Sequence, residues 1–502
     1  ATGLPIVQRR PNKIFKNEIA SCYTSDPGDF LGLIENAEYV ITNSFHGTVF
    51  SIIYEKPFVS MLHSNTGSRT VDLLKALKLE SHLLYKPEEF EDFSMFEFKE
   101  PEKVKRRIKE LRRKSLVFLL DALGNNDRQK WVDCPTQIKK YDCYGCCACK
   151  EICPVNAISM VEDQEGFRYP VVDKDKCIDC GACSKVCIRK VSQKILYTKE
   201  YPKVYCAMNK REDVRLKSSS GAVFPELARF VIEEKKGYVV GVKYDKDMNV
   251  VSSIADNMED VKAFYGSKYV KSNFEGIFPR IRDLLKENKT VLYSGLPCEC
   301  AALRSYLRKD YENLYICEIL CHAAPSPKIY RQYIEHLQKK YKSRVVNLTF
   351  RNKSTGWLIH KCSMIVEFEN GKNLKVNARK NNYFRAFLND YISRPSCSFC
   401  DFTYHNRVGD LTIGDFWGIK EIDPSMFDDK GVSLVTINND KGSKMWDNIK
   451  DKFNYKESDM TTAFKKNHNK PSPFKVERMD VFRQLDKEPI DDLLGKFNDL
   501  VK

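Results

Sequence analysis

The sequence predicts a multidomain α/β protein with a metal-binding segment lying between two α/β regions, and three observations carry that expectation. First, 502 residues with 42% apolar composition exceed what one hydrophobic core needs, and domain-size statistics suggest roughly three domains. Second, strand-like apolar runs alternate with helical periodicity on both sides of the middle segment. Third, ten of the nineteen cysteines crowd between Cys134 and Cys187. An odd cysteine count in a large chain argues against a small disulfide scaffold and makes metal ligation the default. Aromatic content of 12% and charged content of 30% exclude a disordered or collagen-like chain. No apolar run approaches the ~20 residues of a spanning helix. The start, Ala1-Thr2-Gly3-Leu4, has no apolar signal core and no initiating Met, so a fragment or processed, soluble, cytoplasmic product is expected.

Residues 1–100 read as an α/β piece. Glu38 to Thr42 is a short strand, followed by the turn Asn43-Ser44-Phe45-His46-Gly47 and an apolar helix from Thr48 to Tyr54. Pro57 to Leu62 is a second strand, and Ser68-Arg69-Thr70 opens a helix with Val71, Leu73, Leu74, Leu77 and Leu79 as its apolar residues. A strand running through a polar turn into a helix start is a common anion-binding arrangement.

Residues 101–130 are expected to be a basic helical linker. Positions 103–114 hold eight basic residues and one acid, so they supply +7 of the net charge of +15 that follows from 83 basic and 68 acidic side chains. Val104, Ile108 and Leu111 fall at helical spacing, which makes the helix amphipathic. A solvated connector is the plain reading, and peripheral contact with a membrane surface or an acidic partner is the alternative. Nucleic acid is not expected, because no aromatic residues are interleaved for base stacking.

Residues 131–195 carry the metal motifs. Cys143, Cys146, Cys149 and Cys153 follow the spacing C-x2-C-x2-C-x3-C with Pro154 next, and Cys177, Cys180, Cys183 and Cys187 repeat it 34 positions later. Short spacers let one loop wrap three corners of a cubane, and in two-cluster ferredoxins the fourth cysteine ligates the other cluster. The predicted sets are therefore Cys143, Cys146, Cys149 and Cys187 for one 4Fe–4S centre, and Cys177, Cys180, Cys183 and Cys153 for the second. Zinc needs only two such pairs, whereas four regularly spaced thiols occur twice here. Cys147 breaks the spacing and reads as a bystander, and Cys134 as a buried thiol.

Patterning returns to α/β after residue 195. Ser218-Ser219-Ser220-Gly221 precedes an apolar helix, and Gly237 to Val242 follows as a strand. Thr290 to Gly295 is a strand leading through Leu296-Pro297-Cys298 into the helix Ala301 to Leu307, and Leu314 to Leu320 is a strand ending at Cys321-His322. The last fifty residues are charged and show no motif.

Many short segments in this region match one family in order: Gly166-Phe167-Arg168-Tyr169-Pro170, Ser218-Ser219-Ser220-Gly221, Gly266-Ser267-Lys268-Tyr269-Val270 and Ser294-Gly295-Leu296-Pro297-Cys298. Cys321-His322 with Pro325-Ser326-Pro327, Phe350-Arg351-Asn352-Lys353 with Gly356-Trp357, Cys397-Ser398-Phe399-Cys400 and Gly414-Asp415-Phe416-Trp417-Gly418 complete the series. From about residue 134 to about 440 the chain resembles the coenzyme F420 hydrogenase/dehydrogenase beta subunits in their ferredoxin-fused form. Ala222 and Ala323 stand where that family usually has glycine, and Glu299 where glutamine is usual. The resemblance implies an α/β flavin-binding domain in two parts, residues 196–280 and 281–450, followed by a charged extension, 451–502. It also implies FAD beside an iron–sulfur centre, held by Ser218, Ser219, Ser220, Gly221, Ser267 and Lys268. A serine-rich turn at a helix start offers hydroxyls and backbone N–H groups to a pyrophosphate, and a plain N-cap beside a surface lysine is the structural alternative.

Cys397 and Cys400 form a further C-x2-C pair, while Cys298 and Cys321 each sit just past a predicted strand. Strand ends on one edge of a parallel sheet converge, so the four thiols can meet there. A third 4Fe–4S cluster is what the family resemblance favours; a tetrahedral zinc site and isolated buried cysteines are the alternatives.

The run Glu38 to Gly47, then Lys56-Pro57-Phe58 and Arg69, is similar to the polysaccharide pyruvyl transferases. That resemblance implies the C-terminal, partly Rossmann-like half of a glycosyltransferase-B-like fold, with His46 and Arg69 contacting an acidic donor or phosphate. No turnover is expected of one half alone.

Taken together, the chain is expected to be an iron–sulfur flavoprotein oxidoreductase that passes electrons between its clusters and FAD to a redox partner protein or a soluble hydride carrier. No acid or base stands out as catalytic. The alternative is a component of surface-polysaccharide biosynthesis that meets other proteins of that process, with the redox half auxiliary.

Overall fold

The computed structural model describes residues 6–8, 18–21, 27–62, 67–98, 100–122, 138, 140–189, 202–403, 407–467 and 470–498. The predicted buried thiol at Cys134 lies outside them. The chain divides into two compact units, Ala1–Asp127 and Arg128–Lys502.

In the first unit a parallel sheet of Val40–Thr42, Phe58–Met61 and Leu83–Leu84 is backed by the helices Phe45–Ile53 and Ser68–Leu77. Ser44 caps the first helix by accepting the Gly47 N–H at 3.4 Å. The helix expected between residues 103 and 114 runs as Pro101–Ala122, but it is more than a solvated connector. Val104 is buried among Ile52, Phe58, Leu74 and Leu77, with Ile108 and Leu111 packed beside it. Arg107 Nη1 also donates to the Leu77 carbonyl at 2.8 Å. The charged residues hide a stripe of three apolar side chains whose burial joins the helix to the core of the first unit.

The second unit holds the two cysteine motifs and the beta-type region. An antiparallel hairpin, Ile158–Glu162 with Arg168–Val172, lies between the short helices Ala148–Glu151 and Ala182–Val186, which pack together. The larger part is a mixed eight-stranded sheet in the order Val250–Ala255, Tyr238–Tyr244, Val291–Gly295, Leu314–Ile319, Leu411–Asp415, Ser433–Ile437, Lys203–Asn209 and Phe453–Ser458. Val291–Gly295 and Leu314–Ile319 pair in parallel. Their C-terminal ends therefore share one sheet edge, and the segments carrying Cys298 and Cys321 leave from it. The outer strands pair antiparallel, so the sheet is mixed rather than parallel throughout.

A three-stranded antiparallel sheet, Val345–Asn352, Ser363–Phe368 and Asn373–Asn377, packs with the helix Pro327–Tyr341 over a second core. Ser326 caps that helix, accepting the Ile329 N–H at 3.3 Å, with Pro327 at the first helical position. The last fifty residues are structural. Phe453–Ser458 adds the outermost strand, and the helices Val476–Gln484 and Ile490–Asn498 bury Val481, Leu493 and Leu494 completely. Their few apolar residues are spread over three elements, which is why no motif is visible in the sequence.

Glu165, in the hairpin turn, fastens the cysteine-rich segment to this C-terminal part. Its carboxylate pairs with Arg478 and with Lys140, the latter at 3.1 Å. Burial alone would raise its pKa; Arg478 and Lys140 outweigh burial and hold it at about 2. A depressed carboxylate stabilises the fold fully above its unfolded value, near 4.5, and loses that contribution as pH falls towards 2. Wild type should therefore exceed Glu165→Gln by on the order of 3 kcal/mol near neutrality. Denaturant midpoints of the two proteins should converge between pH 4.5 and 2; a gap that does not change with pH would remove Glu165 as the acid-sensitive tie.

Candidate iron–sulfur and flavin site

The first cysteine set gathers around a small cavity lined by Cys143, Cys146, Cys149 and Cys187 together with Met160, Pro170 and Ile188. Burial pushes the Cys146 thiol well up, and Cys149, Cys187 and Cys143 push it further. Cys187 follows the helix Ala182–Val186 of the second motif, yet it meets the thiols of the first. Its place among Cys143, Cys146 and Cys149 is the one the predicted first set calls for. Cys147 begins the helix Ala148–Glu151 with a left-handed φ of 54°. Its side chain is buried in the neighbouring core, with Sγ 3.8 Å from the Gly145 carbonyl.

The second set is more open. Cys180 is exposed, and Cys153, Cys177 and Cys183 are half-buried. Cys153 Sγ accepts the Ala157 N–H at 3.2 Å, and Cys177 Sγ lies 3.6 Å from Asp179 Oδ1.

Cys298, Cys321, Cys397 and Cys400 also face one another. Cys321 is raised well above the usual thiol range by burial and then by Cys397, Cys298 and Cys400. Burial, Cys298 and Cys397 raise Cys400 in the same way. Cys298 is pushed up to about 12 by burial, with Lys271 opposing and Glu299 and Cys397 adding to the rise. Mutual repulsion of this kind means that four thiolates this close cannot coexist without a compensating cationic core. That is the donor chemistry of an iron–sulfur cluster. Among the described residues no three His, Cys, Asp or Glu side chains are grouped to hold a single metal ion. Cys206, Cys300, Cys317 and Cys362 are buried core thiols.

The first and third sets are neighbours. Tyr144, one residue after Cys143, donates to Asp401 Oδ2 at 3.2 Å and accepts the Asp401 N–H at 3.1 Å, and Asp401 follows Cys400. Arg189 pairs with both Asp142, at 3.2 Å, and Asp401.

The serine turn lies beside the sheet. Ser218 Oγ donates to the Val214 carbonyl at 2.9 Å and Ser220 Oγ to the Val432 carbonyl at 2.7 Å, so these two hydroxyls close the turn itself. Ser219 and Ser267 face each other, Oγ to Oγ, at 2.7 Å. Gly221 donates its N–H to Ser433 Oγ at 2.9 Å, and a Cβ there would collide with the Ala207 carbonyl and the Ser433 amide. Ala222 adopts a left-handed φ of 68°, which explains why glycine suits that position better.

Lys268 Nζ donates to the Tyr265 and Gly266 carbonyls at 3.1 and 3.4 Å, and burial lowers its pKa to about 8. Lys353, which sequence reasoning did not single out, donates to the carbonyls of Arg215, of Ser220 at 2.8 Å and of Lys430 at 2.7 Å, pinning the turn; burial lowers it to about 7. Ser219, Ser267 and Lys268 therefore fit the anionic part of a flavin nucleotide, while Ser218, Ser220 and Gly221 shape the backbone. Arg351, Trp357, Asp415 and Trp417 converge nearby: Arg351 pairs with Asp415, Trp357 Nε1 donates to Asp415 Oδ1 at 2.8 Å, and the two indoles stack at 5.0 Å.

In the first unit, exposed His46 and Arg69 flank one ring. The Arg69 guanidinium lies 4.1 Å from the Phe45 centroid, and the His46 ring 5.9 Å from it. Among the described residues no helix is long and apolar enough to cross a membrane.

Family comparisons agree with this layout. Residues 288–463 match the C-terminal part of the coenzyme F420 hydrogenase/dehydrogenase beta chain, residues 142–191 the 4Fe–4S dicluster domain, and residues 4–65 the polysaccharide pyruvyl transferases. A ferredoxin of Saccharopolyspora erythraea is 33% identical over 107 residues, which is 21% of this chain and 81% of the ferredoxin. One component of the Na(+)-translocating ferredoxin:NAD(+) oxidoreductase complex of Acetobacterium woodii is 38% identical over 52 residues, 10% of this chain. The chain spans only 14% of that component's length. A chain of the F420-reducing NiFe hydrogenase complex of Methanosarcina barkeri, from a xenon-derivatised structure, matches at 17% identity with a TM-score of 0.35, covering 60% of this chain and 93% of that one. The chain belongs to the ferredoxins through its 4Fe–4S dicluster segment, and it is similar to the coenzyme F420 hydrogenase/dehydrogenase beta subunits over residues 288–463 and to the polysaccharide pyruvyl transferases over residues 4–65.

Proposed function

We propose that the chain is an iron–sulfur flavoprotein oxidoreductase that passes electrons between 4Fe–4S clusters and FAD, to or from a soluble hydride or electron carrier of the coenzyme F420 type. One observation carries this reading. The segment Ser267–Lys271 begins at the serine turn, where Ser267 meets Ser219 at 2.7 Å, and ends at Lys271, whose charge acts on Cys298 of the buried thiol set. Four residues of chain reach at most roughly 14 Å, so the two sites lie within one short span. When bound, clusters handle single electrons and a flavin pairs them into hydride chemistry.

The protein's own part is holding and insulating. Cys143 and Cys187 of the first set are buried and the thiols of the third set are half-buried, Lys353 fixes the turn, and Ser219, Ser267 and Lys268 offer two hydroxyls and a cation to a pyrophosphate. A cytoplasmic setting and a redox partner protein accompany this reading.

Iron, acid-labile sulfide and flavin measured together on anaerobically purified protein test it. The expectation is about twelve irons and about one FAD per chain. Fewer than about eight irons would sink the ferredoxin-type sets, and iron without flavin would leave an electron carrier only.

The match over residues 4–65 favours a second reading, in which the first unit serves surface-polysaccharide biosynthesis and Phe45 presents His46 and Arg69 to an anionic donor. Binding of an anionic donor by the purified chain, lost in His46→Ala and Arg69→Ala, would favour it; no binding would remove it.

A further inference from the structure

Arg394 occupies a place that neither motif explains. It is 2% exposed and lies where the first and third cysteine sets meet. Nε donates to the Cys143 carbonyl at 2.8 Å and Nη2 to the Arg168 carbonyl at 3.1 Å, so the guanidinium is anchored by neutral oxygens on the side of the first set. Its own backbone begins the turn Pro395–Phe399, and its carbonyl accepts the Cys397 N–H at 2.9 Å on the side of the other set. Ala324 donates to Cys397 Sγ at 3.4 Å, and Arg394 N–H binds the Ala324 carbonyl at 2.9 Å, which locks this arrangement. The rings of Tyr169 and Phe167 face the guanidinium at 4.3 and 5.3 Å.

Gly145 supplies the room. It lies inside the first cysteine loop with φ +62°, and a Cβ there would stand 2.8 Å from Arg394 Nη1. The other cation at the Cys298 set, Lys271, is largely compensated because its ammonium pairs with Glu299. Arg394 forms no such pair among the described residues, so its charge is the one left facing the cysteines. Burial opposes that charge, while Tyr169, Cys143, Asp163 and Cys397 favour it strongly enough to raise the guanidinium pKa.

We propose that Arg394 is a positioning residue shared by both cysteine sets, whose fixed charge between Cys143 and Cys397 favours the added electron on either side. The inference rests on the cluster-bearing reading above. A buried cation a few ångströms from an anionic centre is weakly screened and stabilises the more negative, reduced state.

The test is an anaerobic potentiometric titration of the intact chain followed by electron paramagnetic resonance, after iron and sulfide have been counted. In Arg394→Gln, at a potential that half-reduces the wild-type sets, the reduced-to-oxidised ratio of both should fall by about tenfold, a shift of 59 mV for a one-electron couple. The Cys153, Cys177, Cys180 and Cys183 set should move least and serves as the internal control. Arg394→Lys keeps the charge without the fork, so its potentials should stay near wild type while its stability falls. Full iron content with unchanged potentials in Arg394→Gln would overturn the proposal. If Arg394→Gln does not load iron, a tenfold population shift in Arg394→Lys, with the charge retained, would overturn it instead. Wild-type protein lacking the iron for these sets would sink the cluster reading, an outcome separate from either.

Discussion

Replacing Cys321 by alanine should remove about four irons from each chain and leave about eight, together with loss of one reduced-cluster signal. Cys321 is half-buried and shares its surroundings with Cys298, Cys397 and Cys400. Cys317, on the strand that leads to it, is fully buried in the core and cannot take its place. The ferredoxin-type sets lie on separate loops and should keep their metal. Iron and sulfide analysis, with zinc measured on the same sample, reads the result. An unchanged iron content accompanied by loss of one zinc would assign a tetrahedral zinc site there. No change in either metal would reduce the four cysteines to packed core thiols. Flavin content should stay near wild type, since the hydroxyls of Ser219 and Ser267 and the Lys268 ammonium are untouched.

The largest stability effect is expected at Arg407→Met. Arg407 and Glu318 form an ion pair with side chains 1% and 0% exposed. Glu318 Oε2 also accepts the N–H groups of Val408 and Gly409 at 2.8 and 3.0 Å. Removing the guanidinium strands a buried carboxylate, at a cost of about 3–5 kcal/mol. Denaturant midpoints of wild type and variant measure it. Glu318 sits on the strand Leu314–Ile319, just ahead of the segment with Cys321, so iron bound by that set should also become more easily lost to a chelator. Replacing both partners with apolar residues of similar volume should cost much less, because no charge is then left behind. A single variant within about 1 kcal/mol of wild type would show that water or a local rearrangement reaches the carboxylate.

Local features were the most readable in sequence. Eight of the nine cysteines at 143–153 and 177–187 are regularly spaced because short spacers must wrap a compact object, and Cys187 lies beside Cys146. The strands ahead of Cys298 and Cys321 were visible as apolar runs, and their parallel pairing brings both cysteines to one edge. Non-local relations were not readable. Arg394 reads as one more basic residue in a chain with 83 of them, and only the fold places it on Cys143, 251 positions away. Lys353 likewise gains its role from three carbonyls contributed by distant segments. The helix Pro101–Ala122 reads as charged because its apolar stripe is narrow, and the C-terminal helices bury few side chains each. Departures from family usage were informative at Ala222, whose left-handed backbone marks the strain a methyl brings, and at Glu299, whose negative charge the structure matches with Lys271.

The strand Lys203–Asn209 pairs on one side with Ser433–Ile437 and on the other with Phe453–Ser458, so both partners are translated more than 200 residues after it. At synthesis rates of about 5–20 residues per second, this strand waits on the order of ten to fifty seconds with both hydrogen-bonding edges open. Contacts this distant in sequence also make folding slow. The cysteines at 143–187 leave the ribosome well before the segment bearing Arg394 and Cys397 exists. Maturation of this protein is therefore ordered in time: early cysteine loops must be kept reduced and unaggregated until the C-terminal strand and helices emerge to close the unit.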